Sequence, residues 1–129
     1  MLAAQPRPSA GLILVVDDDE AIREAVADLL RGEGYRAETA ADGPAGLEAA
    51  QRLSPALVLL DMRLPRLDGW ALAGALRARA PRVPILAMTA APDARRWAAE
   101  IGADGWIAKP FDVDELFETI ERLLGQVVG

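Results

Sequence analysis

The chain has 129 residues, 52% of them hydrophobic and 26% charged, which suits one domain with one buried core and excludes a disordered chain. A net charge of −6 and a sequence pI of about 4.6 argue against nucleic-acid binding, which needs a basic patch. The absence of histidine and cysteine excludes a Ser-His-Asp hydrolase, a histidine phosphodonor, thiol chemistry and cysteine-ligated metals.

Residues 1–10 carry one charged side chain and two prolines without a long apolar stretch. They read as a flexible leader rather than a signal peptide, and a cytoplasmic location is expected. Leu12–Val16 is a continuous apolar run rich in β-branched residues, read as a strand buried on both faces. A helix is predicted over Glu20–Arg31, with Ile22, Val26, Leu29 and Leu30 at helical spacing, and with Gly32 and Gly34 marking its end. Arg36–Ala40 reads as a weaker strand. Asp42-Gly43-Pro44 reads as a helix start, the helix running to about Leu53 before Ser54-Pro55 breaks it.

Ala56–Leu60 is the second strongly buried strand, ending at Asp61. Both this run and Leu12–Val16 are five residues long, far short of the roughly 20 needed to span a membrane. A helix follows from about Trp70 to Arg79, then a strand over Pro84–Met88 ending at Thr89. A fourth helix is expected over about Asp93–Ile101, and a short strand over Gly105–Ala108 ending at Lys109-Pro110. The last helix starts at Asp112, with Glu115 three residues on as a capping-box-like pair. The domain is placed at 11–125, with 126–129 as a tail.

Five strand–helix repeats predict an α/β fold, a doubly wound five-stranded parallel sheet with helices on both faces. Ligands of such sheets bind at the carboxyl ends of the strands. Those ends hold Asp17, Asp18 and Asp19 after the first strand, Asp61 after the third, Thr89 after the fourth and Lys109 after the fifth. Two like charges about 4 Å apart repel by roughly 4 kcal/mol at an effective dielectric near 20. Clustered carboxylates therefore call for a hard divalent cation, and Mg2+ typically keeps waters that a phosphoryl oxygen can replace. Lys109 is the only lysine beside thirteen arginines, a compact point charge suited to a carboxylate or phosphate. A nucleophilic carboxylate, a hydroxyl, an ammonium and a metal cluster suit phosphoryl transfer to aspartate.

These motifs resemble the response-regulator receiver domain, the CheY-like family. Leu14-Val15-Val16-Asp17-Asp18-Asp19 is similar to its first-strand acidic motif. Leu59-Leu60-Asp61-Met62-Arg63-Leu64-Pro65 with Asp68-Gly69 is similar to its phosphoacceptor motif. Met88-Thr89-Ala90, Lys109-Pro110-Phe111 and the Gly102-Ala103-Asp104-Gly105 turn match the rest, so the resemblance covers about Gly11–Leu124. It implies a (βα)5 flavodoxin-like fold with Asp61 as phosphoacceptor. Mg2+ would be held by Asp18, Asp61 and the Arg63 carbonyl, with Asp17 acting mainly through water. Thr89, Lys109 and the amides of Met62 and Ala90 would hold the phosphoryl oxygens. Thr89 and Trp106 stand at the family's switch positions, where Tyr or Phe is more usual than Trp. A sensor histidine kinase or phosphotransfer protein would be the donor. An output partner would dock on the face of the fourth helix, fifth strand and fifth helix, and the resemblance leaves room for a phosphorylation-dependent homodimer. The chain would catalyse its own phosphorylation and dephosphorylation without turning over an external substrate.

Two rival readings use the same residues. A haloacid-dehalogenase-type phosphatase would take Asp17 and Asp19 as an Asp-x-Asp pair, but Ala21 replaces the Thr or Val that should follow and the chain is short for a cap domain. A receiver-like module that no longer takes phosphate usually lacks an acidic, Thr or Lys position, and this chain keeps all of them. For Asp19 alone, helix capping is the preferred role.

Overall fold

The computed structural model describes residues 11–62, 69–79, 82–90, 96, 99–100 and 102–128. In chain order these form β1 (Leu12–Val16), α1 (Glu20–Gly32), β2 (Arg36–Ala40), α2 (Gly43–Leu53), β3 (Leu57–Asp61), α3 (Gly69–Arg79), β4 (Ile85–Ala90), β5 (Gly105–Lys109) and a C-terminal helix (Val113–Val128). The helix expected over Asp93–Ile101 falls mostly outside the described residues; within them, Arg96, Ala99 and Glu100 are helical. No helix among the described residues is long and apolar enough to cross a membrane.

All neighbouring strands pair in parallel, in the order β2-β1-β3-β4-β5. Side chains alternate across each strand, and the two apolar sets go to opposite faces. Ile13, Val15, Leu57, Leu59, Leu86 and Met88 pack with Val26 and Leu30 of α1 and with Leu116, Ile120 and Leu123 of the C-terminal helix. Leu14, Val16, Val58, Leu60, Ile85 and Ala87 pack with Ala49 and Ala50 of α2 and with Leu72 and Leu76 of α3. The continuous apolar runs therefore arise because both faces of the sheet are covered. The reversal of strand order lies between β1 and β3, whose carboxyl ends carry Asp17 and Asp61. An open α/β sheet forms its ligand crevice at such a reversal.

Local chemistry fixes the helix ends. The Asp19 carboxylate accepts from the Ile22 amide at 3.1 Å and caps α1. Asp42 does the same for α2 through the Ala45 amide at 2.8 Å. The Asp112 carboxylate takes the Asp114 amide at 2.8 Å rather than that of Glu115. The C-terminal helix runs on to Val128, three residues past the expected boundary at 125. Gly46 lets α2 lie close against β1: a Cβ there would meet both Val16 methyl carbons at 3.1 Å. Gly102 takes φ +70° in the turn before β5, a conformation that side chains rarely adopt.

A candidate phosphoryl and cation site at the strand ends

A cleft of about 270 Å³ opens at the carboxyl ends of the strands, lined by Asp17, Asp18, Asp19, Ile22, Asp61, Thr89 and Lys109. Each strand contributes through its own register. β1 delivers Asp17 and Asp18, β3 ends on Asp61, and β4 carries Thr89 opposite Ala108 of β5, one residue before Lys109. Asp17, Asp61 and Thr89 are buried, Asp18 is exposed and Lys109 is intermediate. The Lys109–Pro110 peptide that follows is cis.

The three carboxylates of Asp17, Asp18 and Asp61 each offer an oxygen within 4.8 Å of the others. The Lys109 ammonium donates to Asp17 Oδ2 at 3.2 Å and lies 3.5 Å from Asp61 Oδ2. Among the described residues one ammonium meets this cluster of three carboxylates, an acidic grouping that a divalent cation would offset. The donors are hard oxygens, which suits Mg2+ and suits soft-metal chemistry poorly. Thr89 lines the same cleft, and its Oγ1 is fully buried and without a hydrogen-bond partner among the described residues. A buried hydroxyl left in that state costs on the order of 1–3 kcal/mol, and a ligand oxygen in the cleft would satisfy it.

Asp17 is tightly constrained. Oδ1 accepts from the Asp19 amide at 2.9 Å and Oδ2 from Lys109. Its own amide donates to the Ala40 carbonyl at 3.2 Å, and its carbonyl accepts from Arg23 Nη1 at 3.1 Å. Both carboxylate oxygens thus have partners within the protein, while Asp18 is exposed at the edge of the cleft. Asp19 is exposed and caps α1, so the Asp-x-Asp phosphatase reading loses both of its carboxylates to other work. Sequence reasoning missed Arg23, because its partner is a backbone carbonyl and backbone leaves no side-chain signature.

The other expected residues divide. The Met62 amide donates to the Met88 carbonyl at 3.0 Å, extending the ladder past Asp61. Holding a phosphoryl oxygen would therefore require that bond to be shared or given up. Ala90 ends β4 opposite Lys109. Arg63 lies outside the described residues. Trp106 stands on β5 opposite Ala87 and is 44% exposed, so the indole points outward here. Of the surface charges on the expected output face, Arg96 and Glu100 form an exposed ion pair at 3.8 Å.

The family model for the response regulator receiver domain matches residues 13–121. This chain belongs to that family. Response regulators of this kind are phosphorylated by histidine kinases and regulate output domains in two-component systems. Among curated relatives, the response regulator MprA of Mycobacterium leprae is 40% identical over 114 residues, 87% of this chain and 50% of MprA. The DNA-binding transcriptional regulator NtrC of Escherichia coli is 38% identical over 116 residues, 88% of this chain and 25% of NtrC. The chain thus spans half or less of these relatives' lengths. Among solved structures, NtrX from Brucella abortus superposes with a TM-score of 0.86 at 37% identity, over 92% of this chain and 28% of NtrX. The receiver domain of the sensor histidine kinase PA1611 from Pseudomonas aeruginosa was solved with a magnesium ion coordinated in its active-site cleft. It gives a TM-score of 0.82 at 35% identity, over 90% of this chain and 98% of that domain. Vibrio cholerae CheY4 gives 0.80 at 33% identity, over 88% of this chain and 98% of CheY4. The flavodoxin-like fold expected of a receiver domain is the fold found.

Proposed function

We propose that this receiver domain, residues 11–125, takes a phosphoryl group on Asp61 from a histidine kinase or phosphotransfer protein in the cytoplasm and signals through its surface. The observation that carries the reading is the company Asp61 keeps. A buried carboxylate clusters with those of Asp17 and Asp18 in one cleft, with an ammonium 3.5 Å away and a buried hydroxyl that has no partner among the described residues.

In the proposed step an Asp61 carboxylate oxygen attacks phosphorus. The bond from phosphorus to the donor breaks, and the leaving group keeps its electron pair. Asp18 and Asp61 would hold Mg2+, with the Arg63 carbonyl as a further oxygen and Asp17 acting through water. When bound, Mg2+ supplies charge neutralisation to the transferring group. Lys109 stabilises the charge on the phosphoryl oxygens as a point cation. Thr89 donates its hydroxyl to a second phosphoryl oxygen, and the amides of Ala90 and, once released from Met88, Met62 complete the cradle. Drawing the Thr89 hydroxyl toward that oxygen is the event to which Trp106 would respond, changing the face formed by the fourth helix, β5 and the C-terminal helix. An output partner, or a second phosphorylated copy, would read that face.

Intact mass after incubation with a small phosphodonor tests the reading. The expected result is a gain of one phosphoryl group that requires Mg2+ and is absent in Asp61→Asn. No gain in the wild type, with the donor proven on a control receiver, would favour a phosphate-independent binding module instead.

A further inference from the structure

Arg23 stands in the first turn of α1, where a cation opposes the helix dipole. It does not extend into solvent: its side chain is 14% exposed, with Nε 3.7 Å from Glu24 Oε2. Nη1 turns back across the β1–α1 junction to the Asp17 carbonyl at 3.1 Å. That oxygen belongs to the planar peptide unit that also contains the Cα of Asp18. Fixing the Asp17 carbonyl therefore fixes the point from which the Asp18 side chain leaves the backbone. The opposite side of the same turn is fixed by the Asp19 amide on Asp17 Oδ1 at 2.9 Å. Asp18 itself is exposed, so its placement depends on these neighbours more than on packing.

We infer that Arg23 is a positioning residue for the cation site, clamping the Asp17–Asp18 peptide so that the Asp18 carboxylate is held facing the cleft. The inference rests on the proposed reading of that cleft as a divalent-cation site. It makes a prediction opposite in sign to simple electrostatics. A guanidinium near the acids should repel Mg2+, so its removal would tighten binding if charge alone mattered. If positioning matters, its removal weakens binding.

The test is calorimetric titration of the full chain with Mg2+, for the wild type, Arg23→Gln, Arg23→Lys and the control Arg31→Gln. Arg31 makes a comparable side-chain-to-backbone bond, Nη2 to the Ala37 carbonyl at 2.9 Å, but Ala37 pairs with Ile13 within the sheet and is not a cleft residue, whereas the Arg23 partner Asp17 is. Arg23→Gln is expected to weaken Mg2+ binding by about tenfold, the lower end of the loss seen when a ligand's supporting partner is removed. Arg23→Lys, which keeps the charge and a donor but not the planar fork, should fall between, about threefold weaker. Arg31→Gln should bind as the wild type does. Unchanged or tighter binding in Arg23→Gln would overturn the inference. If Arg23→Gln shows no cooperative unfolding transition, Arg23→Lys decides, and wild-type affinity there would overturn it. A wild type without saturable Mg2+ binding would instead overturn the reading of the cleft itself, and it would do so before any variant was measured.

Discussion

The two ends of the sheet both gather charged side chains, and they use them in opposite ways. At the amino ends of the strands the Arg77 guanidinium donates to the Val83 carbonyl at 2.7 Å, the Gly102 carbonyl at 3.1 Å and Asp104 Oδ2 at 2.6 Å. That same carboxylate oxygen accepts the Ile85 amide at 2.8 Å, and the Asp104 amide donates to the Ile85 carbonyl at 2.9 Å. Cation and anion match, and the network ties α3, β4 and the turn before β5 together. At the carboxyl ends three carboxylates cluster, one ammonium meets two of them, and a buried hydroxyl has no partner among the described residues. The lesson is that a network closed within the protein holds the fold, whereas a network left open in charge and hydrogen bonding is completed by a ligand.

Substitutions at the two ends should separate these roles, and the largest effect is expected from the cation. At a Mg2+ concentration 100 times its dissociation constant, binding to the folded state alone adds about 2.7 kcal/mol of stability. Asp18→Asn should lose most of that increment while unfolding without Mg2+ at or slightly above the wild-type midpoint, because it relieves repulsion. Thermal unfolding with and without Mg2+ measures both quantities.

Asp104→Ala should do the reverse. It strands the buried Ile85 amide and removes one of the Arg77 partners, costing on the order of 1–3 kcal/mol in denaturant unfolding, with Mg2+ affinity unchanged. Equal losses of Mg2+ affinity from Asp18→Asn and Asp104→Ala would erase the distinction between the two ends.

Lys109→Arg sharpens the comparison within the open end. A guanidinium preserves the charge, so Asp61 phosphorylation should persist. Its planar fork cannot reproduce the point contact, so the phosphorylation-dependent change in Trp106 fluorescence should shrink. A wild-type fluorescence response would contradict this. The smallest effect is expected from Thr89→Val. No hydrogen bond within the described residues is lost, so stability should stay within about 0.5 kcal/mol of the wild type or rise, while the phosphorylation-dependent fluorescence change is reduced.

Much of this contrast was legible in the sequence, and unevenly so. The continuous apolar runs of β1 and β3 announced strands covered on both faces, and the polar residue after each run announced the reactive end. Asp19 as a helix cap was also legible, because its chemistry is local. β4 was expected to end at Thr89 but pairs on through Ala90, because the register with β5 carries the ladder past the threonine. The Met62 amide could not be assigned from sequence, because its acceptor, the Met88 carbonyl, becomes a neighbour only once β3 and β4 pair. Arg23 and Arg77 were silent for the same reason. Each is one arginine among thirteen, and its partners include backbone carbonyls that only the folded topology brings near.

The central claim is that the open end takes its phosphoryl group on Asp61 and nowhere else. Borohydride converts an aspartyl phosphate to homoserine, marking the acceptor for peptide mass mapping. After treatment with a phosphodonor and Mg2+, the account predicts homoserine at position 61 alone. Homoserine at position 17, 18 or 19, with position 61 unmodified, would contradict it.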